Sequence, residues 1–139
     1  MNKYYYFLII IFIIGSSCSV EEENIINYPS ISIMSPNQEM YEIGQDIPIE
    51  IFISHNEVLD NITYYETCDC TGDDYDSLDL IELNNIYQEE WSYVKTISTK
   101  QIPADIMCNY NIEITANDLN GNESSQSIYF HVMTMTNNM

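Results

Sequence analysis

Arginine is absent from this chain, and only three lysines stand against 22 acidic residues, giving a formal net charge of −19. A surface that negative repels phosphate backbones, which excludes nucleic-acid binding. It is equally repelled by anionic lipid headgroups, so any membrane association has to come from an anchor. Glycine is also scarce, at four residues in 139, and neither a phosphate-cradling glycine-rich loop nor a nucleophile elbow is present. No internal repeat is visible. What remains is 45% apolar with 12 tyrosines, enough to close one modest core and too apolar for wholesale disorder. Such a chain suits cations, basic proteins or neutral polymers such as glycans as partners.

The N-terminus carries an export pattern. Lys3 precedes an unbroken apolar run from Tyr4 to Ile14, followed by Gly15, Ser16, Ser17 and Cys18. A positive start, a short apolar segment and small residues before a cut site make a signal peptide. The run is too short to span a bilayer, which needs about 20 apolar residues. The segment Ile14-Gly15-Ser16-Ser17-Cys18 resembles a lipobox, with Gly15 where leucine is usual. The acidic cluster Glu21-Glu22-Glu23 just behind it is similar to the surface-export signal of Bacteroidetes-type lipoproteins. That resemblance implies cleavage after residue 17, acylation of Cys18, and a protein held at the outer membrane or cell surface. It divides the chain into a signal peptide (1–17), an acidic tether (18–28), a folded domain (29–133) and a polar tail (134–139).

Within the domain the dominant period is two, the mark of strands with one buried face. The four isoleucines of Ile47-Pro48-Ile49-Glu50-Ile51-Phe52-Ile53 share one face. In Tyr110 to Asn117 and in Ser127 to Val132 the even positions are the apolar ones. Weaker runs cover Ile31–Met34, Met40–Ile43, Ile62–Tyr65 and Trp91–Ile97, while Leu78–Tyr87 fits either a strand or a helical turn. Turn chemistry separates several of them: Ser35-Pro36-Asn37, Gly44-Gln45-Asp46, and Asn120-Gly121-Asn122 as a hairpin. About seven short strands predict an all-β, antiparallel sandwich.

By order and spacing, Pro29 to Val132 resembles a bacterial immunoglobulin-like domain. The likeness rests on Pro29-Ser30-Ile31-Ser32-Ile33, on Gly44 before the Ile47 strand, and on the block from Tyr110 to Asn122. The whole also resembles small Bacteroidetes-type lipoproteins of a family of unknown function. The resemblance implies that Tyr110 is a corner tyrosine, bonding to backbone in the Pro103–Ile106 loop. It further implies that the Ile62–Thr67 and Tyr110–Asn117 strands are antiparallel neighbours. Cys68, Cys70 and Cys108 then share the inward phase, which favours a disulfide from Cys108 to either Cys68 or Cys70, with one cysteine left over. Glu66 shares that phase, suggesting a strand already leaving its sheet. A zinc site on Cys68-x-Cys70 plus Cys108 lacks a fourth ligand.

Candidate chemistry is thin elsewhere. Asp69, Asp73, Asp74, Asp76 and Asp79 crowd eleven residues; a solvated loop is the simpler reading, calcium the other. Asp118 to Glu123 has the look of a calcium loop, but a hairpin turn explains the same residues. His55 and His131 read as surface histidines, and Trp91 as part of the core and its rim. Tyr65, Tyr75 and Tyr129 are the aromatics an outward patch would use. No cofactor is expected, and no residue set reads as a catalytic centre. The expectation is a non-enzymatic binding or adhesion module for a protein or glycan, anchored to the bilayer through Cys18. An accessory subunit of an envelope or uptake complex is the alternative, and a hydrolase the least supported.

Overall fold

The computed structural model describes residues 27–72 and 75–134. Cys18, the signal peptide and most of the tether and tail therefore lie outside the described residues. The described chain is all-β, one curled mixed sheet of six strands: β1 (Ser30–Ser35), β2 (Met40–Glu42), β3 (Asp46–Cys70), β4 (Ser77–Ser98), β5 (Cys108–Asp118) and β6 (Glu123–Met133). The order is β1-β3-β5-β6-β2, with β4 paired to β3 outside that path.

Two strands are far longer than alternation alone suggests. The Ile47–Ile53 and Ile62–Tyr65 runs are halves of β3, and the Leu78–Tyr87 and Trp91–Ile97 runs are halves of β4. The count of about seven short strands is corrected accordingly. What separates the halves of β3 is a bulge. Leu59 opposes Asp118 and Asn61 opposes Asn117, so Asp60 is the extra residue. One inserted residue flips the side-chain phase of everything beyond it. Inward positions are odd from Ile47 to Leu59 and even from Ile62 to Cys70. β4 answers at the same level, where Asn85 and Tyr87 adopt positive φ of 58° and 51°.

The bulge sends the two halves of β3 to different neighbours. The first half pairs with β1, from Ser30 opposite Ser54 to Ser35 opposite Glu50. The second half pairs with β5, from Leu59 opposite Asp118 to Cys70 opposite Cys108. β6 continues from β5, and β2 closes that side in parallel with β6. Contacts between side chains hold the two halves face to face. Tyr93, registered on Ile51 of the first half, packs its ring 5.0 Å from that of Tyr64 in the second.

One core fills the space between. Ile47, Ile49, Ile51 and Ile53 from the first half join Ile62, Tyr64, Ile112, Ile114, Phe130 and Val132 from the second, all essentially inaccessible. Each such isoleucine contributes about 1.5–3 kcal/mol of burial. At one end Tyr110 stacks flat on Phe130 at 4.9 Å, and Tyr41 meets the same ring edge-on at 5.4 Å. Turns close the elements where φ must be positive, at Gly44 and Gly121, the second inside the β5–β6 hairpin.

Candidate functional site

The most unusual surface is the flank along β4. This strand pairs with β3 and, among the described residues, with no other strand, so its outer edge carries unpaired backbone groups over 22 residues. Elsewhere among the described residues free edges are shorter: β1 and β2 are only 6 and 3 residues long, and β6 is open only from Glu123 to Phe130, where β2 does not reach it. Short edges are the usual protection against unwanted pairing, and β4 does without it.

Because no strand covers this flank, the inward side chains of β4, Ile97 apart, are only half-buried. Ile81, Leu83, Ile86, Trp91 and Tyr93 pack against the core while staying partly in contact with water. Trp91 stacks on Tyr93 at 5.8 Å with nearly parallel planes, and Tyr93 leads on to Tyr64. Trp91 thus belongs to the rim, as its sequence context implies. On the outward face Leu78, Leu80, Tyr87 and Val94 are exposed, Val94 at 73%. Glu82, Glu89 and Glu90 are interspersed with them. At the kink a hollow of about 470 Å³ opens between Tyr28, Ser30, Ser54, His55, Glu89 and Glu90.

A partly buried ion cluster crosses between the two halves beneath this flank. Lys95 Nζ donates to Glu66 Oε2 at 3.0 Å and to Asp79 Oδ2 at 2.8 Å. The Tyr64 hydroxyl donates to the same Glu66 oxygen, and Lys95 lies 5.9 Å from the Tyr64 ring centroid. Glu66 is therefore not where β3 leaves its sheet: the strand runs on, and the buried carboxylate is neutralised by a lysine from the facing half. Burial works against the Lys95 charge, but Asp79 and Glu66 outweigh it and hold its pKa above the ordinary lysine value. Burial, then the hydrogen bond to Glu66, pushes the Tyr64 phenol strongly up. Neither group is poised as a base; the cluster is a latch.

His55 and Asp118 resemble half of a catalytic triad and are equally locked. Both side chains are fully enclosed, with His55 Nε2 3.2 Å from Asp118 Oδ2. The Glu57 N–H donates to His55 Nδ1 at 2.9 Å, which places the imidazole proton on Nε2. That N–H faces both Asp118 and the carbonyl of Asn27 at 3.1 Å. No imidazole nitrogen is left for a substrate. The surface position read for His55 is corrected: β3 carries it inward on the phase of Ile53. Asp118 is held by its own hairpin, accepting from the N–H groups of Asn120 and Asn122 and from the Asn122 amide, each at 2.8 Å. Those donors occupy the oxygens a calcium ion would need. His131, on the outward phase, hydrogen-bonds Asn109 at 2.7 Å and meets Tyr129 edge-on.

Of the five aspartates read as a calcium alternative, Asp73 and Asp74 lie outside the described residues. The other three do not converge. Asp69 points outward from β3, Asp76 accepts from the Cys70 N–H at 2.8 Å, and Asp79 holds Lys95. Of Tyr65, Tyr75 and Tyr129, the last meets His131 edge-on, and no ring-to-ring contact joins the three among the described residues.

The cysteines do come together. Cys70 and Cys108 form a disulfide with an S–S distance of 2.01 Å, and Cys68 is a buried free thiol. Direct opposition of Cys70 and Cys108 across β3 and β5 selects that pair over Cys68. Tyr110 sits opposite Cys68 and stacks its ring on Phe130. The corner-tyrosine bond to the Pro103–Ile106 backbone is not seen among the described residues: the Tyr110 side chain faces inward from β5, against Phe130.

No family model and no curated protein matches this sequence. Among solved structures the chain is similar to the sporulation control protein Spo0M from Bacillus subtilis, with a TM-score of 0.41 and 9% identity, over 78% of this chain and 50% of that one. It is also similar to a β-glucosidase from Listeria innocua, with a TM-score of 0.42 and 8% identity, over 78% of this chain and 17% of that one. The chain thus spans half or less of each of these proteins, and likeness at this level assigns it no activity.

Proposed function

We propose that this chain is a lipid-anchored cell-surface binding module, an immunoglobulin-like sandwich that captures extended, basic polypeptide segments along the outer edge of β4. The observation that carries the reading is the open 22-residue edge of β4. An added strand would satisfy its unpaired backbone groups, and half-buried side chains such as Ile81, Leu83 and Trp91 would gain cover, as in β-augmentation. Charge selects the occupant. Glu82, Glu89 and Glu90 repel a second copy of this acidic chain and attract lysine or arginine, for which the hollow at Glu89 and Glu90 offers a seat. The immunoglobulin-like reading draws support from the pairing of β1 with one half of β3, of β5 with the other, and from the parallel β2–β6 contact. In this reading β3 and β4 each run through both layers. Anchorage rests on the sequence pattern at Cys18.

Trp91 is the only tryptophan and stands on the flank, so it reports on occupancy directly. The probe is a synthetic ten-residue peptide alternating lysine and valine, with its acidic counterpart alternating glutamate and valine. The basic peptide is expected to shift Trp91 emission with an affinity that falls as salt rises, and Glu89→Gln with Glu90→Gln is expected to weaken it about tenfold. Equal response to both peptides, or none, overturns the proposed ligand class. The anchor is tested separately: Cys18→Ser is expected to release the protein from membranes and abolish the acyl mass at the mature N-terminus.

A further inference from the structure

A disulfide accounts for two of the three clustered cysteines and leaves Cys68 without a role in the fold that another small apolar residue could not fill. Its position is not that of an isolated thiol. The inward phase of β3 carries both Cys68 and Cys70, and register places Cys108 opposite Cys70, so three sulfurs face one point. The Sγ atoms of Cys68 and Cys70 are 3.4 Å apart, and all three Sγ atoms lie within 4.8 Å of one another, each on a buried residue.

We propose that the reduced form of this cluster is a binding site for one soft monovalent metal ion, held as a three-sulfur complex by Cys68, Cys70 and Cys108. A metal about 2.3 Å from each of three sulfurs, lying in their plane, sets the sulfurs about 4 Å apart. That spacing is reached from the present one by opening the S–S bond and moving the side chains alone. Ligand number and softness choose the metal. Zinc in a closed site takes four ligands, and among the described residues no His or carboxylate joins the three sulfurs. Three thiolates and no oxygen donor suit a d10 monovalent cation such as Cu(I). The surroundings supply candidates for an outer layer as well, since register sets the hydroxyl-bearing Tyr110 and Ser77 directly opposite Cys68 as donors for its thiolate. Hydrogen bonds of that kind orient and tune thiolate ligands.

The disulfide makes the site conditional. With Cys70 and Cys108 joined, only Cys68 offers a thiol, and no metal is held. A small dithiol reductant transfers two electrons and two protons to the S–S bond, giving two thiols and leaving as its own cyclic disulfide. Binding the cation then displaces thiol protons to solvent. The inference does not depend on the anchor or on the β4 ligand.

The test is anaerobic titration of the dithiol-reduced, desalted protein with Cu(I) against a chromophoric Cu(I) chelator, with native mass spectrometry for stoichiometry. The expected result is one Cu(I) per reduced chain and none per oxidised chain. Cys68→Ser keeps the disulfide, so its fold is checked in the oxidised form; once reduced it should bind at least about a hundredfold more weakly. Tyr110→Phe removes no ligand and should weaken binding about tenfold. Equal affinity of wild type and Cys68→Ser overturns the proposal, as does uptake of Cu(I) by the oxidised protein. Preference for zinc, or loss of the strand circular-dichroism signal on reduction, overturns it too.

Discussion

The carboxylate of Asp118 lies 3.2 Å from His55 Nε2 while three donors of its own hairpin converge on it. One residue therefore ends β5, shapes the turn and pins the β3 bend from the neighbouring strand. Removing its charge should be costly. Asp118→Asn replaces an acceptor with an amide N–H aimed at existing donors, and a loss of about 2–4 kcal/mol is expected in urea titration.

The same group sets an acid limit. Burial alone would raise the Asp118 pKa, but the Asn122 and Asn120 hydrogen bonds and the nearby His55 hold it below its ordinary value. A depressed folded pKa gives stability that is present above the unfolded value, about 3.9, and is lost as pH falls through the folded one. The urea midpoint of the wild type should therefore fall more steeply below pH 4 than that of Asp118→Asn. Parallel curves would show that Asp118 does not carry this dependence.

Lys95 acts in the opposite direction on the pH scale. Its pKa is raised on balance by Asp79 and Glu66, so its contribution is complete below the unfolded lysine value, about 10.4, and disappears as pH rises through the folded value. Lys95→Met keeps the stem and leaves Glu66 buried without its cation. Loss of a buried pair's partner costs about 3–5 kcal/mol; Lys95 remains 27% exposed, which places the expected loss nearer about 2–3. Lys95→Met with Glu66→Leu should recover most of it, and failure to recover would mean that packing of the lysine stem, not charge, is what matters.

Much of this was legible in residue order, and what was not has a physical reason. Alternation located part of every strand but left Leu78–Tyr87, the first half of β4, between strand and helical turn; parity put Cys68, Cys70 and Cys108 on the inward side. Strand length was not legible from alternation, because a bulge reverses parity and looks like a strand end. Another signal was available: between Pro48 and Pro103 the only glycine or proline is Gly72. A chain with so little turn chemistry has one place to reverse, and it does so there, between β3 and β4. The Lys95–Glu66 latch could not be read from sequence, since its partners stand 29 residues apart and meet only once the two halves face each other. His55 was misplaced for the same reason, as its burial depends on a hairpin more than 60 residues downstream.

The kink in β4 depends on side chains that tolerate positive φ. Asn85 is one of the few non-glycine types that do so readily, whereas a β-branched residue meets its own carbonyl. Asn85→Val should therefore cost about 1–2 kcal/mol although the site is exposed. Asn85→Gly should be close to neutral, because relief of strain offsets the added freedom of the unfolded chain. Equal losses for both would point instead to the Asn85 side chain, which accepts from the Tyr87 hydroxyl at 3.1 Å.

The disulfide supports the fold mainly through the chain it closes. Cys70 and Cys108 are separated by 38 positions, and this loop holds the whole of β4, a strand paired with β3 alone among the described residues. Loop-closure entropy for that length corresponds to about 4 kcal/mol. Cys70→Ala with Cys108→Ala removes the bond and leaves no pair of thiols to re-form it. A loss near that figure is expected by urea denaturation, and Trp91 emission, reporting from β4, should move with the global transition. If Trp91 responds at lower urea than the far-ultraviolet signal, β4 has become a separate unit held in place by the bridge. A loss under about 1 kcal/mol would show that pairing of β3 with β5 holds the loop ends together without covalent help.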